Sequence, residues 1–433
     1  MDLYSTQNPA LRAHLQEAVM QGLAPDNGLY MPVRIPVLPE TFWAQAREMA
    51  FPALAFEVTR TLLDGAIPDE DLEKIVYQAF SFDAPVVTLH KRHHILELFH
   101  GPTLAFKDFG ARFMAGLMAW YNRGQDRELV ILVATSGDTG GAVAAGFLHT
   151  PGIRVVILYP QGKVSGLQEK QLTALGGNIT ALEVAGTFDD CQALVKQAFL
   201  DQELQAALRL TSANSINIAR LIPQAMYYFR AWQQVADNGY KLAYCVPSGN
   251  FGNLTAGILA WRMGLPVSHF VAATNANDVV PAYLASGIYT PRPSVQTLSN
   301  AMDVGNPSNF VRLLHLLGQD YSTVAGMISG YRFSDQQTLG AIRTVYDQTG
   351  YLLDPHGAVG YLAGETFLEK NTDYQIVTLE TAHPSKFPDV ITGQAGIVPE
   401  MPERLAALQD KPKVSIPMPA SYPPFKSWLL SQR

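Results

Sequence analysis

One lysine in this chain stands in unusual company. The stretch Glu97-Leu-Phe-His-Gly-Pro-Thr-Leu-Ala-Phe-Lys107-Asp-Phe-Gly110 surrounds Lys107 with Pro102, Leu104, Ala105, Phe106 and Phe109. Apolar neighbours disfavour an ammonium and lower an amine's pKa. A lysine tuned in this way is a nucleophile able to form a Schiff base with an aldehyde. The plainer alternative is a solvated lysine that starts a helix, because most lysines are solvated. What separates the two is whether the rest of the chain offers a seat for an aldehyde-bearing ligand.

Several later stretches bear on that. Thr135-Ser-Gly-Asp-Thr-Gly-Gly141 follows the short apolar run 128–134 and precedes a small-residue helix over 142–149. A strand, a glycine turn and a helix together build an anion site, since free N–H groups and the helix dipole point at whatever binds. A tight turn with no ligand is the alternative. Pro247-Ser-Gly-Asn-Phe-Gly-Asn253 follows the strand 242–246 and opens the helix 254–263. Gly249 and Gly252 let its backbone turn tightly and approach a phosphate closely. It is not G-x-x-x-x-G-K-[ST], and neither turn is G-x-G-x-x-G, which argues against a nucleoside triphosphate and a Rossmann dinucleotide. Thr211-Ser-Ala-Asn-Ser-Ile-Asn-Ile-Ala-Arg220 gathers residues suited to phosphate, Arg220 through its planar fork. Those residues could equally be helix caps and a surface arginine. The strand 375–379 ends in Glu380-Thr-Ala-His-Pro-Ser-Lys-Phe387. Open α/β sheets bind ligands at the carboxyl ends of their strands, which places Thr381 to touch a cofactor ring.

The elements that must position these residues alternate strand and helix, the pattern of parallel βαβ units. Further buried strands are expected at 153–159 and 177–184, a helix at 188–200, and a long helix from the SANSINIAR turn to about 237. A Pro/Ser/Asn-rich loop over 287–309 is long enough to be functional or disordered. Helices near 308–317 and 334–348 follow. Residues 1 to about 95 read as mostly helical, with a first helix from Asn8-Pro9 that lines up Leu11, Leu15, Val19 and Leu23. A hairpin over 86–90 and 95–99 carries His90, His93 and His94. No cysteine or carboxylate nearby completes a ligand set, so no metal is expected there and the histidines read as solvated. The last forty residues read as a peripheral helix and a proline-rich tail.

The chain has 433 residues, 48% apolar and 16% charged, which fits an enzyme of two or three domains. A net charge of −7 argues against a nucleic-acid or anionic-membrane partner. Two cysteines give no disulfide framework, no secretory signal is evident, and no apolar run approaches the roughly 20 residues of a membrane span. A cytoplasmic setting is expected.

Taken together, HGPTLAFKDFG, TSGDTGGA at 135–142, SANSINIAR at 212–220, PSGNFGN at 247–253 and TAHPSKF at 381–387 resemble the threonine synthases, in the branch with a long N-terminal segment. The resemblance runs from LYSTQNP almost to the C-terminus. It implies an α/β protein of the tryptophan-synthase-β-like group (fold type II), with parallel sheets flanked by helices and a mainly helical N-terminal domain. It implies pyridoxal 5′-phosphate (PLP) as cofactor and the conversion of O-phospho-L-homoserine and water into L-threonine and phosphate. Lys107 is then the Schiff-base lysine. Ser248, Gly249, Asn250, Phe251, Gly252 and Asn253 hold the cofactor phosphate, and Thr381 bonds the pyridine nitrogen. Thr135, Ser136, Gly137 and Thr139 take the substrate carboxylate. Asn214, Ser215, Arg220 and Thr139 take its phosphate, with Asn250 nearby. The wider group often carries Asn at the position of Asp138, and a carboxylate beside the cofactor needs a proton or a donor partner. The expected division is an accessory domain over 1–95, a smaller mobile domain over 96–235 and a larger PLP-binding domain over 236–433. A monomer is favoured and a dimer possible. The nearest competing activities are those of PLP-dependent dehydratases, which lack a second phosphate site. A non-catalytic phospho-ligand-binding relative is the competitor from another class.

Overall fold

Strands that are apolar on both faces need cover on both faces. Leu129–Ala134 and Lys241–Pro247 are such strands, buried along nearly their whole length. In the computed structural model, which describes residues 1–432, each lies inside a parallel sheet. The first sheet has five strands in the order Ile416–Pro419, Ile179–Ala185, Ile153–Pro160, Leu129–Ala134 and Arg209–Ser212, all parallel. The second has six, in the order Ile328–Arg332, His269–Thr274, Lys241–Pro247, Tyr374–Glu380, His93–Glu97 and Val86–His90. Only its last pair is antiparallel.

Two pairings cross the expected boundaries. His93–Glu97 belongs to the six-stranded sheet of later residues, and Ile416–Pro419 belongs to the five-stranded sheet of earlier ones. The supposed proline-rich tail therefore contains an edge strand, a place where Pro417 and Pro419 are tolerated because an outward N–H needs no partner. The helix Tyr422–Ser431 follows it and buries Phe425 and Leu429 against the helix Phe188–Leu200.

The N-terminal region, expected to be mostly helical, begins with strands. Asp2–Ser5 pairs antiparallel with Arg12–His14 and Tyr30–Pro32, and the first helix begins only at Leu15. The helices Phe51–Leu63 and Asp69–Ala79 then buttress the lysine's own helix, Lys107–Tyr121. Phe51, Phe80 and Phe109 meet at ring distances of 5.2–5.9 Å. The expected long helix up to 237 is broken at Pro223 into Ile218–Leu221, a 3₁₀ turn and Ala225–Gln234. Arg312, fully buried, donates to Tyr30 O at 3.1 Å, to Ile216 O at 2.7 Å and to Asn309 Oδ1 at 2.9 Å. One guanidinium thus ties the N-terminal strand to the SANSINIAR turn.

The hairpin histidines are not solvated. His93 and His94 are buried, and only His90 is open to water. The helix Pro355–Lys370 brings up the carboxylate that the sequence did not place nearby: Glu365 Oε1 lies 2.5 Å from His93 Nδ1 and 2.8 Å from His90 Nε2. His93 Nε2 meets Thr378 Oγ1 at 2.8 Å. These bonds pin the hairpin to the helix above it.

Burial of imidazoles has a consequence for acid stability. Desolvation lowers the pKa of His269 and of His383 to about 4. The unfolded chain takes up those protons near pH 6.5, the folded chain only near pH 4. The stability these groups contribute is complete above pH 6.5 and is lost as pH falls towards 4. A melting series from pH 7.5 to 4.5 is expected to show a falling Tm. His269→Phe, at a ring stacked 5.1 Å from Phe367, is expected to flatten that fall by on the order of 1–2 kcal/mol.

Candidate active site

The strand ends converge. Ala134, Ser212, Pro247 and Glu380 finish strands of the two sheets, and the turns after them carry the residues singled out in the sequence. Those turns line one cavity of about 490 Å³, together with Phe106 and Lys107.

Lys107 opens the helix Lys107–Tyr121, so its amine sits at the positive end of a helix dipole, which disfavours an ammonium. Its side chain is 18% exposed. Burial pushes its pKa down. The Asp138 carboxylate opposes this, and the positive charges of Lys386 and Arg220 reinforce it. The turn before it is held hard. Asp108 accepts from Thr103 N and Oγ1 at 2.8 and 2.6 Å, Phe106 N donates to Thr381 O at 2.9 Å, and the Tyr227 hydroxyl donates to Phe106 O at 2.7 Å.

Across the site, Phe251 adopts a left-handed φ of 60° and begins the helix Gly252–Arg262. Ser248 spends its N–H on Ala273 O and its hydroxyl on Val246 O. The N–H groups of Gly249, Asn250, Phe251, Gly252 and Asn253 have no partner among the described residues. Asn253 Nδ2 is buried and also unpartnered, while its Oδ1 accepts from Tyr228. A Cβ on Gly249 would stand 2.7 Å from Ala301 O, so only glycine lets these two backbone segments meet. A run of free N–H groups at a helix N-terminus is suited to a phosphate. With a depressed lysine amine on the same cavity, the residues fit a phosphorylated aldehyde such as PLP. Thr381 also lines the cavity, and its hydroxyl has no partner among the described residues.

The other glycine turn is shaped by Thr135. Its Oγ1 accepts from Gly137 N at 3.0 Å and Gly140 N at 2.9 Å, which leaves the N–H groups of Ser136, Asp138 and Thr139 free. Gly137 has φ 147°, and a Cβ there would strike the Gln168 amide at 2.8 Å. Thr135, Ser136 and Thr139 line the cavity; Gly137 and Asp138 do not. Ser215 and Arg220 line it as well, but Asn214 does not. Arg220 is buried, gives one bond to Ala213 O at 2.7 Å, and has a buried Nε without a partner. Burial lowers its pKa to about 10, so it stays a cation.

The sequence reading did not assign four residues that the fold brings in. Lys386 Nζ lies 2.7 Å from Asp138 Oδ1, and Gln168 Nε2 lies 2.9 Å from it. These are the donors that a carboxylate at 138 requires, and they hold its pKa below the usual range. Tyr227 and His356 line the cavity, the latter with Nδ1 on Asp354 at 2.6 Å and Nε2 accepting from Ala301 N at 3.2 Å. Lys386 lay inside a quoted motif, and only its place in TAHPSKF could have drawn attention to it.

Comparison with known proteins identifies the family and the cofactor. Residues 95–382 match the family of pyridoxal-phosphate dependent enzymes, residues 2–80 the threonine synthase N terminus and residues 357–427 the threonine synthase C-terminal region. A threonine synthase of Haemophilus influenzae is 44% identical over 99% of this chain and 100% of its own length. The crystal structure of threonine synthase from Escherichia coli superposes with a TM-score of 0.92 at 42% identity, covering 100% of both chains. A PLP-bound threonine synthase from Brucella melitensis gives 0.93 at 35% identity, over 100% of this chain and 99% of that one. On these full-length matches, the chain belongs to the threonine synthases and is a PLP-dependent enzyme.

Proposed function

We propose that the substrate is O-phospho-L-homoserine, converted with water into L-threonine and phosphate. One observation carries this: two separate sets of phosphate-suited donors face a single cavity. The N–H groups of 249–253 form one set. Arg220, with its unpartnered Nε, and Ser215 form the other. A substrate without phosphate would leave the buried Arg220 uncompensated, which is expensive.

When bound, PLP supplies the electron sink that makes protons on the substrate carbons removable. This chain's residues do the rest. Gly249 to Asn253 hold the cofactor phosphate, with Ser248 fixing the start of the loop, and the Thr381 hydroxyl meets the ring nitrogen. Free N–H groups of the 135–139 turn take the substrate carboxylate. Arg220, Ser215 and Thr139 grip the substrate phosphate, with Asn250 beside them, and Asn214 shapes the turn before Ser215. The Lys107 amine, once released from the cofactor, moves protons at the adjacent α, β and γ carbons. Phosphate leaves from Cγ and water adds at Cβ. Closure of the five-stranded unit on the six-stranded one would keep stray water out, and the strand Ile416–Pro419 would travel with it. The buried, unpaired thiols of Cys191 and Cys245 support a reducing, cytoplasmic setting. Among the described residues, no helix is long and apolar enough to cross a membrane.

The test is the visible absorption of the PLP-loaded enzyme, read with O-phospho-L-homoserine and then with L-serine or L-threonine, alongside phosphate and threonine release. The expected result is a band shift and product with the phosphorylated substrate. A spectrum that ignores it and answers only to the hydroxy-amino acids would replace this reading with a dehydratase.

A further inference from the structure

Asp138 creates a difficulty for the residue beside it. Its Oδ2 lies 4.0 Å from Lys107 Nζ. A carboxylate at that distance favours the ammonium form of a lysine, more strongly in a wall with little water than at a surface. An ammonium has no lone pair to attack an aldehyde. The chain nevertheless places this carboxylate in the first turn of the helix Asp138–Phe147.

Lys386 resolves the conflict. Its side chain is fully buried and does not line the cavity. Its Nζ is 2.7 Å from Asp138 Oδ1 and gives a second bond of 2.7 Å to Thr103 O. Gln168 Nε2 adds a second donor to the same Oδ1, at 2.9 Å. One oxygen of Asp138 therefore receives two donors at hydrogen-bonding distance. The other faces Lys107 from beyond that distance. Lys386 belongs to the turn after Tyr374–Glu380, and Thr103 to the turn before Lys107, so one ammonium also joins three segments of the site.

We propose that Lys386 is the resident counter-ion of Asp138, and that by claiming this carboxylate it leaves the Lys107 amine unpaired and available as a nucleophile. Lys386 is a positioning residue, acting through Asp138. The charged and titratable groups around Lys107 are Asp138, Lys386, Arg220 and the adjoining Asp108, with Tyr227, His356, Lys163, Asp189 and Asp303 also on the cavity wall. The depressed pKa of Lys107, caused first by burial and then by the balance of Asp138 against Lys386 and Arg220, agrees with this arrangement. The inference rests on Lys107 being the cofactor's lysine.

Competitive acetylation of the full chain freed of cofactor tests it, with the Lys107 peptide quantified by mass spectrometry from pH 6 to 11. Lys386→Met removes the counter-ion, so Asp138 turns to Lys107. Lys107 is then expected to label about tenfold more slowly at pH 8 and to reach half-labelling at a higher pH. Lys386→Arg keeps the charge and is expected to keep the wild-type profile. Asp138→Asn leaves Lys386 as an uncompensated cation and is expected to move half-labelling to lower pH. A Lys386→Met protein that melts cooperatively and labels like wild type overturns the proposal. Should that variant not fold, an unchanged profile in Asp138→Asn overturns it equally. The assignment of Lys107 to the cofactor fails on different grounds, namely a yellow holoenzyme formed by Lys107→Ala.

Discussion

Lys107→Ala is expected to yield a folded, colourless protein whose turnover is lower by about 10³–10⁴-fold or more. The size follows from the number of tasks given to one amine. In the proposed reaction it anchors the cofactor covalently and moves protons at three neighbouring carbons. No other amine lines the cavity except Lys163, and Lys386 is bound on both sides by Asp138 and Thr103. Folding is expected to survive, because the amine makes no close hydrogen bond and burial already disfavours its charge. Phosphate release and the absorption spectrum, measured together with Tm, check all three parts. A variant that stays yellow and turns over within tenfold of wild type would remove Lys107 from the chemistry.

The second large effect is expected at Arg220. Arg220→Lys keeps a cation but loses the planar fork that the proposed reading sets on two phosphate oxygens. Charge-assisted bonds of this kind contribute about 1.5–3 kcal/mol, so KM for O-phospho-L-homoserine is expected to rise about 10- to 100-fold. Arg220→Ala is expected to do more, and to lower kcat as well if the grip tightens as phosphate departs. Because Arg220 also bonds Ala213 O, Tm has to be followed in each variant. Steady-state phosphate release decides the matter: an unchanged KM in a protein with wild-type Tm would mean that the substrate phosphate lies elsewhere.

The parts of this site that could be read from the sequence are local. The runs at 129–134 and 241–247 are continuously apolar, and the glycine turns follow them directly, so strand, turn and helix were legible within about twenty residues each. The depressed amine of Lys107 followed from its apolar neighbours. The contacts that escaped are made across the fold. Lys386 meets Asp138, and Glu365 meets His93, between stretches far apart in the sequence, and no spacing rule reaches that far. That is why the hairpin histidines read as solvated and Asp138 appeared to lack a donor. The N-terminal strands of three and four residues are too short to show alternation, and the leucine spacing around them imitates a helix face. The edge strand Ile416–Pro419 was hidden by its prolines, which usually exclude a strand and are tolerated only at an edge.

That edge strand sets the order in which the molecule can be finished. Ile179–Ala185 has one neighbour from the start, Ile153–Pro160, and acquires its other only when Ile416–Pro419 arrives. On a ribosome, four of the six strands of the other sheet, from Lys241–Pro247 to Tyr374–Glu380, are made in the interval. The five-stranded sheet thus emerges early with one flank exposed, and the second sheet can close before the first is complete. Such an unpaired flank is a template for the wrong partner, including another growing chain. The final residues act as a latch on the beginning of the catalytic fold, and trimming them would reopen a strand made far earlier.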